Sequence, residues 1–329
     1  MLLKNIFSIL ILSGAALLVS KTANGQGCSD AGFCTMGAMK PSQIYTRTIN
    51  FKLRSAELSF GRGKTTLTPV LNVVTMDLTF GINEKTSFQF KLPYQTVKGN
   101  LGETSGLSDI SYSFTKNMYS TERFHINATL GGKIPTNNSD LDSDVKSEHI
   151  TTGLPAGTST DLPMYYQTSL GSWDLVAGAS FISQKWMFAT GIQMALTENE
   201  NDFRYEQWAN YPDENYLQDN FLANNLKRGT DIMLRVERAF HYSNVDIRLG
   251  LLPIFRISKD EILDRTTNER VKVDGTTGMA LTALLNVAYH FNTNHSLKFL
   301  YGKKITDRDV NPDGLTRENV ASISYVVRF

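Results

Sequence analysis

Apolar and polar residues alternate along most of this chain, and the alternation limits the folds that are open to it. Residues 74–82 read Val-Thr-Met-Asp-Leu-Thr-Phe-Gly-Ile, and the same two-residue period recurs at 88–94, 124–130, 245–251 and 279–291. Successive side chains of a strand point to opposite faces. Each segment is therefore predicted to be a strand with one apolar and one polar face.

The length of these strands separates two architectures that share the alternation. A soluble β-sandwich also alternates, but strands of globular proteins usually run about 5–6 residues. A tilted strand that crosses a membrane needs about 9–11 residues, and every strand predicted here reaches that length. The predicted strands are 44–60, 67–82, 86–97, 108–117, 122–134, 163–183, 186–197, 229–242, 244–257, 277–292, 295–305 and 318–329.

The connections between the strands alternate between short and long, as in outer-membrane barrels. Reading 163–183 as one strand, bent near Gly171, gives an even number of strands and puts every long loop on one side. The short turns include 83–85, 184–185 and 292–294, and the long polar loops are 135–162, 198–228, 258–276 and 306–317.

The end of the chain alternates up to a terminal aromatic residue. Tyr325, Val327 and Phe329 lie on one face of the predicted last strand, a pattern typical of the signal that the barrel-assembly machinery reads. An open sheet edge in lipid would leave backbone groups without hydrogen bonds, so the sheet must close. We predict an all-β fold: a transmembrane antiparallel up-and-down β-barrel of about 12 strands, with 10 or 14 as alternatives, over residues 43–329.

The beginning of the chain has the pattern of an export signal. Lys4 precedes the uncharged apolar stretch 6–20, and Ala23 and Gly25 provide the small residues of a cleavage site. We predict that residues 1–25 are removed and that the protein resides in the cell outer membrane of a Gram-negative envelope. A lipid anchor on Cys28 is an alternative, although the residues before it lack the apolar residue that normally precedes a lipidated cysteine.

Residues 26–42 show no alternation and precede the first strand. Cys28 and Cys34 are the only cysteines of the chain, and an exported chain favours a disulfide between them. The segment is predicted to hang in the periplasm or to plug the barrel. Alternatively, both cysteines with Met36 and Met39 form a soft-ligand site for copper(I).

Polar side chains on the inner face of the barrel are the candidate functional residues. Both signs of charge occur among them, so the sequence predicts no preference for anions or cations, and paired charges that brace the interior are the alternative to a selective constriction. The candidate lumen residues are Lys91, Asp109, Lys133, Arg235, Glu237 and Arg248, and His125, Asp174 and Lys298 share their inward positions.

Other classes of function find little support. The 33 basic and 32 acidic residues give no electrostatic reason to expect nucleic acid. The catalytic motifs of hydrolases, metalloproteases and nucleotide-binding enzymes are absent, so we expect no enzyme and no cofactor. Asp140, Asp142 and Asp144 begin a calcium-loop pattern, but Val145 and Thr151 replace its glycine and glutamate.

Four short motifs resemble a known family of outer-membrane barrels. Leu-Pro-Tyr at 92–94, Ser-Gly-Leu-Ser-Asp-Ile at 105–110, Gly-Lys-Ile-Pro-Thr at 132–136 and Leu-Gly-Ser-Trp-Asp at 170–174 occur in that order. The series is similar to the barrels of the MetA pathway of phenol degradation, which resemble FadL-type transporters. That family usually has glycine where Ser108 stands. The resemblance implies passive uptake of small hydrophobic or aromatic molecules.

These observations together predict a channel or diffusion-driven transporter in the outer membrane. Its expected partners are outer-membrane lipid, the barrel-assembly machinery and a small solute, whereas the sequence leaves the oligomeric state open. One alternative is a barrel for surface display or adhesion, which would act through the acidic residues of the long loops. A less favoured alternative is an outer-membrane hydrolase with serine and histidine on neighbouring strands.

Overall fold

The structure is a computed structural model, and its described part contains the whole barrel. The predicted signal peptide, Cys28 and Cys34 lie outside the described residues, as does the second half of the calcium-like pattern from position 143 onward. The structure describes residues 36, 39–40, 51–65, 69–142, 161–208, 210–219, 224–314 and 317–329.

One closed antiparallel barrel with twelve strand positions confirms the predicted fold class and strand number. β4 and β5 pair with successive parts of β3 and together occupy one strand position of the barrel. The strands of the barrel are β1 (Lys52–Thr65), β2 (Val70–Gly81), β3 (Thr86–Lys98), β4 (Glu103–Leu107), β5 (Ile110–Ser120), β6 (Phe124–Ile134), β7 (Asp174–Ser183), β8 (Trp186–Ala195), β9 (Asp231–Tyr242), β10 (Val245–Arg256), β13 (Gly278–His290), β14 (His295–Thr306) and β15 (Arg317–Arg328).

The first and last strands close the barrel. β1 pairs with β15 from Ser55 opposite Arg328 to Thr65 opposite Arg317, and β1 also pairs with β2. The long pairing leaves neither strand as an open edge. Closure satisfies the backbone hydrogen bonds that lipid cannot.

The outer surface of the barrel is apolar, because alternate side chains of each strand point away from the lumen. Leu58, Leu249 and Ile323 are 59%, 51% and 47% exposed in the middle of their strands. Neighbouring inward positions carry small polar side chains such as Ser59 and Ser322, which line the interior. The apolar residues of this chain thus form an outer face suited to lipid.

We expect a charge on this outer face to destabilise the barrel in lipid. Leu249→Lys should lower the free energy of unfolding by about 2–4 kcal/mol if residue 249 lies near the bilayer midplane. The matched variant Ser322→Lys places the same charge on the inner face and should change it by less than about 1 kcal/mol. Urea unfolding in phospholipid vesicles measures both, and equal effects would contradict this orientation of the strands.

The single strand predicted over 163–183 is wrong in its first half. Met164–Tyr166 forms a buried 3-10 turn, and strand β7 begins only at Asp174. The intervening residues are held inside the mouth by side-chain bonds: Ser169 Oγ donates to Asp109 Oδ1 at 2.5 Å, and Gln167 Nε2 donates to the Leu162 carbonyl at 2.6 Å. Their polar groups are satisfied by these contacts, so they need no strand partner.

Two other strand boundaries also differ from the prediction. The alternation predicts a first strand over 44–60, of which 44–50 lie outside the described residues, and β1 runs from Lys52 past the predicted end to Thr65. It predicts a fourth strand over 108–117, whereas the fourth strand position of the barrel begins with β4 at Glu103 and ends with β5 at Ser120. These strands continue past the apolar alternation because their ends rise among the loops, where lipid no longer imposes a pattern.

The long loops contain the remaining regular structure. A short helix, α1 (Glu214–Asp219), lies in the loop between β8 and β9. A two-stranded hairpin of β11 (Glu261–Leu263) and β12 (Arg270–Lys272) lies between β10 and β13. Within the described segments, no helix is long and apolar enough to span a membrane.

An apolar cluster under the loops closes part of the barrel mouth. Aromatic side chains of the β8–β9 loop meet the 3-10 turn and the upper ends of β2 and β3 there. Buried members of this mouth cluster are Leu71, Val97, Leu101, Leu162, Tyr165, Tyr166, Phe203, Trp208, Tyr216 and Leu217.

Candidate functional site

A cavity of about 480 Å³ lies inside the barrel and is the candidate functional site. Inward side chains of β1, β2, β3, β14 and β15 form much of its wall. The segment 164–170 borders it near the mouth, and Asp246 and His290 border it near the short turns. Its volume falls in the range of clefts that take drug-sized ligands.

The structure places five of the six predicted lumen residues on the wall of this cavity: Lys91, Asp109, Lys133, Arg235 and Arg248. The sixth, Glu237, is buried beside it, where its Oε1 accepts from Arg235 Nε at 2.8 Å. For the five that lie on strands, the inward direction follows from the two-residue period, whereas Asp109 lies between β4 and β5.

Five charged side chains form a network across the middle of the lumen, which we call the midlumen cluster: Lys40, Glu57, Asp77, Lys91 and Lys298. Lys40 Nζ lies 2.7 Å from Asp77 Oδ2 and 3.2 Å from Glu57 Oε2. Lys298 Nζ lies 3.1 Å from Glu57 Oε2, and Lys91 Nζ lies 3.9 Å from Asp77 Oδ2. Three cations thus share two carboxylates.

A second ion pair lies on the opposite wall. Arg235 Nη2 donates to Glu237 Oε1 at 2.5 Å, and Asn286 Nδ2 donates to the same oxygen at 3.1 Å. Both charged side chains are almost fully buried. Arg248 lines the cavity one strand further along.

A third network lies where the barrel meets its loops, and Arg256 at the end of β10 is its centre. Arg256 Nε donates to Asp231 at 2.7 Å, Nη1 donates to Asp260 at 2.6 Å and Nη2 donates to Asp313 at 2.8 Å. Arg308 approaches Asp313 to 3.6 Å. We call this group of five the Arg256 hub, since one guanidinium connects three segments of the chain.

The hub perturbs the carboxyls that the loops contribute. Burial alone would raise the pKa of Asp313, but the charges of Arg256 and Arg308 outweigh burial and hold it well below its usual range. Burial raises the pKa of Asp260, and the nearby charge of Asp313 adds to the rise despite the opposing effect of Arg256. Asp313 therefore stays ionised in the hub, and Arg256 and Arg308 compensate its buried charge.

Asp174, which the sequence predicts as inward, joins a separate pair near the same level. Arg228 Nη2 lies 2.5 Å from Asp174 Oδ2 and donates to Ser172 Oγ at 3.0 Å. Gln193 also donates to Asp174. These bonds tie the start of β7 to the loop that precedes β9.

The described residues of the segment 26–42 lie within the barrel. Met36 and Met39 are buried in an apolar cluster with Val176, Met187, Ala189, Met233, Leu252, Ile254 and Leu284. A Cβ added at Gly178 would clash with the sulfur of Met39, so only glycine leaves room for this side chain. The two methionines therefore fill one side of the lumen, opposite the midlumen cluster.

The methionines do not meet other metal ligands within the described part of the chain. Their neighbours are apolar, and among those residues no group of three His, Cys, Asp or Glu side chains is placed to bind a metal ion. The copper(I) hypothesis also requires Cys28 and Cys34, which lie outside the described residues.

The histidines that the structure describes lie near the short turns. His241 Nδ1 is 2.6 Å from Asp246 Oδ1, and His290 Nε2 is 3.0 Å from Asp246 Oδ2. His125, predicted to be inward, lies 2.5 Å from Ser120 Oγ in an exposed pair, and neither residue lines the cavity. This serine–histidine contact thus lies outside the cavity wall.

Sequence reasoning missed Lys40, Glu57, Asp77 and Arg256 as site residues. Glu57 and Asp77 occupy polar positions of alternating strands, and Arg256 lies an even number of residues after Arg248, on the same face of the strand. The two-residue period therefore predicts an inward direction for all three. Lys40 belongs to a segment without a period. Its position in the lumen depends on contacts that no local pattern encodes.

Comparisons with known proteins agree with this architecture. No family model matches the chain, and no curated protein is similar to it. The solved structure of an outer membrane channel from Pseudomonas putida F1 has a TM-score of 0.54 to this chain at 13% identity, covering 88% of this chain and 99% of that one. This similarity shows the fold: the chain is an outer-membrane type of β-barrel.

Two porins are also similar in structure, more distantly. The NanC porin has a TM-score of 0.43 at 7% identity, covering 84% of this chain and 99% of its own. The KdgM porin has a TM-score of 0.40 at 6% identity, again covering 84% and 99%.

Proposed function

We propose that this chain is an outer-membrane channel through which small solutes diffuse. The observation that carries the proposal is a closed barrel with an apolar exterior and a polar cavity of about 480 Å³ inside it. A gradient would drive the solute, so the channel needs no cofactor. The lining side chains and the loops at the mouth would decide which molecules enter.

We further propose small, hydrophobic or aromatic molecules as the solutes. The motif resemblance to the barrels of the MetA pathway of phenol degradation and to FadL-type transporters supports this class. Leu71, Val73 and Val320 add apolar surface to the cavity wall. An outer-membrane channel of this kind would contact lipid and be inserted by the barrel-assembly machinery, for which Tyr325, Val327 and Phe329 remain the predicted signal.

We propose that residues 26–42 form a plug that fills one side of the lumen and leaves a narrow path beside it. The burial of Met36 and Met39 and the two ion pairs of Lys40 support this role. A disulfide between Cys28 and Cys34 would stiffen the part of the plug that lies outside the described residues. Removal of residues 1–25 as a signal peptide would leave this segment near the start of the mature chain.

Liposome swelling tests the channel function. Vesicles that contain the purified protein should swell in sugars and amino acids of low mass, at rates that fall steeply as solute size grows. Protein-free vesicles and vesicles with heat-unfolded protein serve as controls. A barrel that admits none of these solutes would overturn the channel and favour the alternative of surface display through the acidic loops.

A further inference from the structure

We propose that the cavity prefers small organic anions, carboxylates above all, over neutral or cationic molecules of the same size. This inference rests on the channel function proposed above and names its solute class more narrowly. It also departs from the expectation that mixed charges leave the lumen without a preference. The preference arises from the positions of the charged side chains on the wall and from the ion pairs that they form.

The cavity wall carries a surplus of positive charge. Among the described residues that line it, nine are lysine or arginine and five are aspartate or glutamate. Arg62 contributes little to this count, because its side chain is exposed and alternation with Gly61 and Gly63 directs it outward. When Arg62 is left out, the lysine and arginine residues of the wall still outnumber its aspartate and glutamate residues.

The surplus is concentrated in the half of the lumen nearer the short turns. Six cations face this half, and the acids there number four even when Glu237, beside the cavity, is counted with Glu57, Asp77 and Asp246. The six cations are Lys40, Lys91, Arg235, Arg248, Lys298 and Arg328.

Three of the four acids of this half are engaged by positively charged groups, and the fourth, Asp246, contacts His241 and His290. Lys40 and Lys298 flank Glu57, and Lys40 also lies 2.7 Å from Asp77. Arg235 lies 2.5 Å from Glu237. A solute therefore meets three carboxylates whose charge is already offset, and the six cations exceed the four acids, so the field stays positive. Low-dielectric walls focus such a field into the lumen.

The acids near the mouth are also offset. Lys133 Nζ lies 3.8 Å from Asp109 Oδ2. Arg256 and Arg308 lie 2.8 Å and 3.6 Å from Asp313. An anion entering from the loop side thus meets no uncompensated carboxylate among these wall residues before it reaches the positive half.

Hydroxyl groups on the wall complete a lining suited to a carboxylate. Ser59, Thr75, Ser111, Ser322 and Ser324 line the same cavity. Ser59 Oγ already donates to the Thr75 carbonyl, and each of the other four hydroxyls can donate a hydrogen bond to an oxygen of a passing solute. A carboxylate offers two such oxygens together with the charge that the cations attract, which an amide or an ammonium group does not.

Planar bilayer recordings test the preference directly. Under a tenfold KCl gradient across the membrane, the reversal potential should give a chloride permeability at least threefold higher than that of potassium. Benzoate, benzamide and benzylammonium share one ring and differ in charge, and benzoate should enter proteoliposomes fastest. The preference should shrink in molar salt, because the Debye length then falls to about 3 Å.

A charge-neutralised variant links the preference to the wall. Lys91→Gln combined with Arg248→Gln should lower the chloride-to-potassium permeability ratio at least twofold. Lys272→Gln is the matched control, because Lys272 is exposed on the hairpin of β11 and β12 and lies outside the cavity wall. Its ratio should equal that of the unmodified protein.

The outcomes separate this inference from the function on which it rests. A channel that conducts but favours potassium, or admits benzylammonium as fast as benzoate, overturns the anion preference and leaves the channel function standing. A barrel that conducts nothing overturns both. An equal fall of the ratio in the Lys272 control would also contradict assignment of the preference to the wall.

Discussion

Deleting residues 26–42 is expected to raise the single-channel conductance of the barrel several-fold. In the intact chain Met36 and Met39 occupy one side of the lumen, and Lys40 projects into the midlumen cluster on the other. Their removal would leave a wider path bounded only by the inward side chains of the strands. Planar bilayer recordings of the two proteins at the same salt concentration measure the change.

A pair of glycine substitutions tests the plug without shortening the chain. Gly178→Ala places its methyl group where the Met39 sulfur lies and should dislodge that side chain. Gly191→Ala meets Met39 only at 3.5 Å and should leave it in place. We expect raised conductance in the first variant and unchanged conductance in the second.

Two results would contradict the plug. A deletion variant with the conductance of the intact protein would show that residues 26–42 do not obstruct the path. Equal conductance of the two alanine variants would show that the packing of Met39 does not control it. Lys40→Gln adds an independent test, because loss of its two ion pairs should also raise conductance.

The strand number and the orientation of side chains could be predicted from the sequence, because local alternation and barrel closure impose both. A residue such as Leu249 must face lipid when its neighbours face the lumen, so a two-residue period carries the information. The same period places Lys91, Arg235 and Arg248 on inward positions. The segments that face lipid are therefore the most predictable ones.

The mouth and the N-terminal segment could not be predicted in the same way. The sequence predicts that residues 164–172 belong to the first half of a strand. In the structure, Gln167 instead donates a hydrogen bond to Leu162 and Ser169 donates one to Asp109, inside the mouth. The ion pairs of Lys40 span 17 and 37 positions of the chain. Such contacts depend on the finished barrel, which brings together residues that no periodic pattern relates.

Replacing Arg256 is expected to destabilise the barrel more than replacing any other single charged side chain of its loops. Arg256→Met removes the guanidinium that donates to Asp231, Asp260 and Asp313, all of them buried. Breaking a buried ion pair by removing one partner costs about 3–5 kcal/mol, because the other charge stays buried without compensation. Urea unfolding in phospholipid vesicles at pH 7 measures the loss.

A matched control and a rescue separate this effect from general disruption. Lys259→Met removes an exposed ion pair with Asp274 on the same loop and should change stability little. Adding Asp313→Asn and Asp260→Asn to Arg256→Met removes two of the charges left behind and should restore part of the loss. A loss below about 1 kcal/mol in Arg256→Met would contradict the role of the hub, since breaking a buried pair costs more.

The pH dependence of Arg256→Met gives the sharpest test, because its sign follows from burial. In the intact protein Arg256 holds the pKa of Asp313 below its usual range, so the stability that Asp313 contributes is present above that range and is lost on acidification. Without Arg256, the pKa of Asp313 should rise toward its unfolded value, because burial is then opposed only by Arg308 and Arg228. The variant then has less of this acid-sensitive stability to lose, so its deficit in unfolding free energy against the intact protein should narrow from pH 7 to pH 4. A deficit that stays constant over this interval would show that Arg256 acts through packing, without a contribution from its charge.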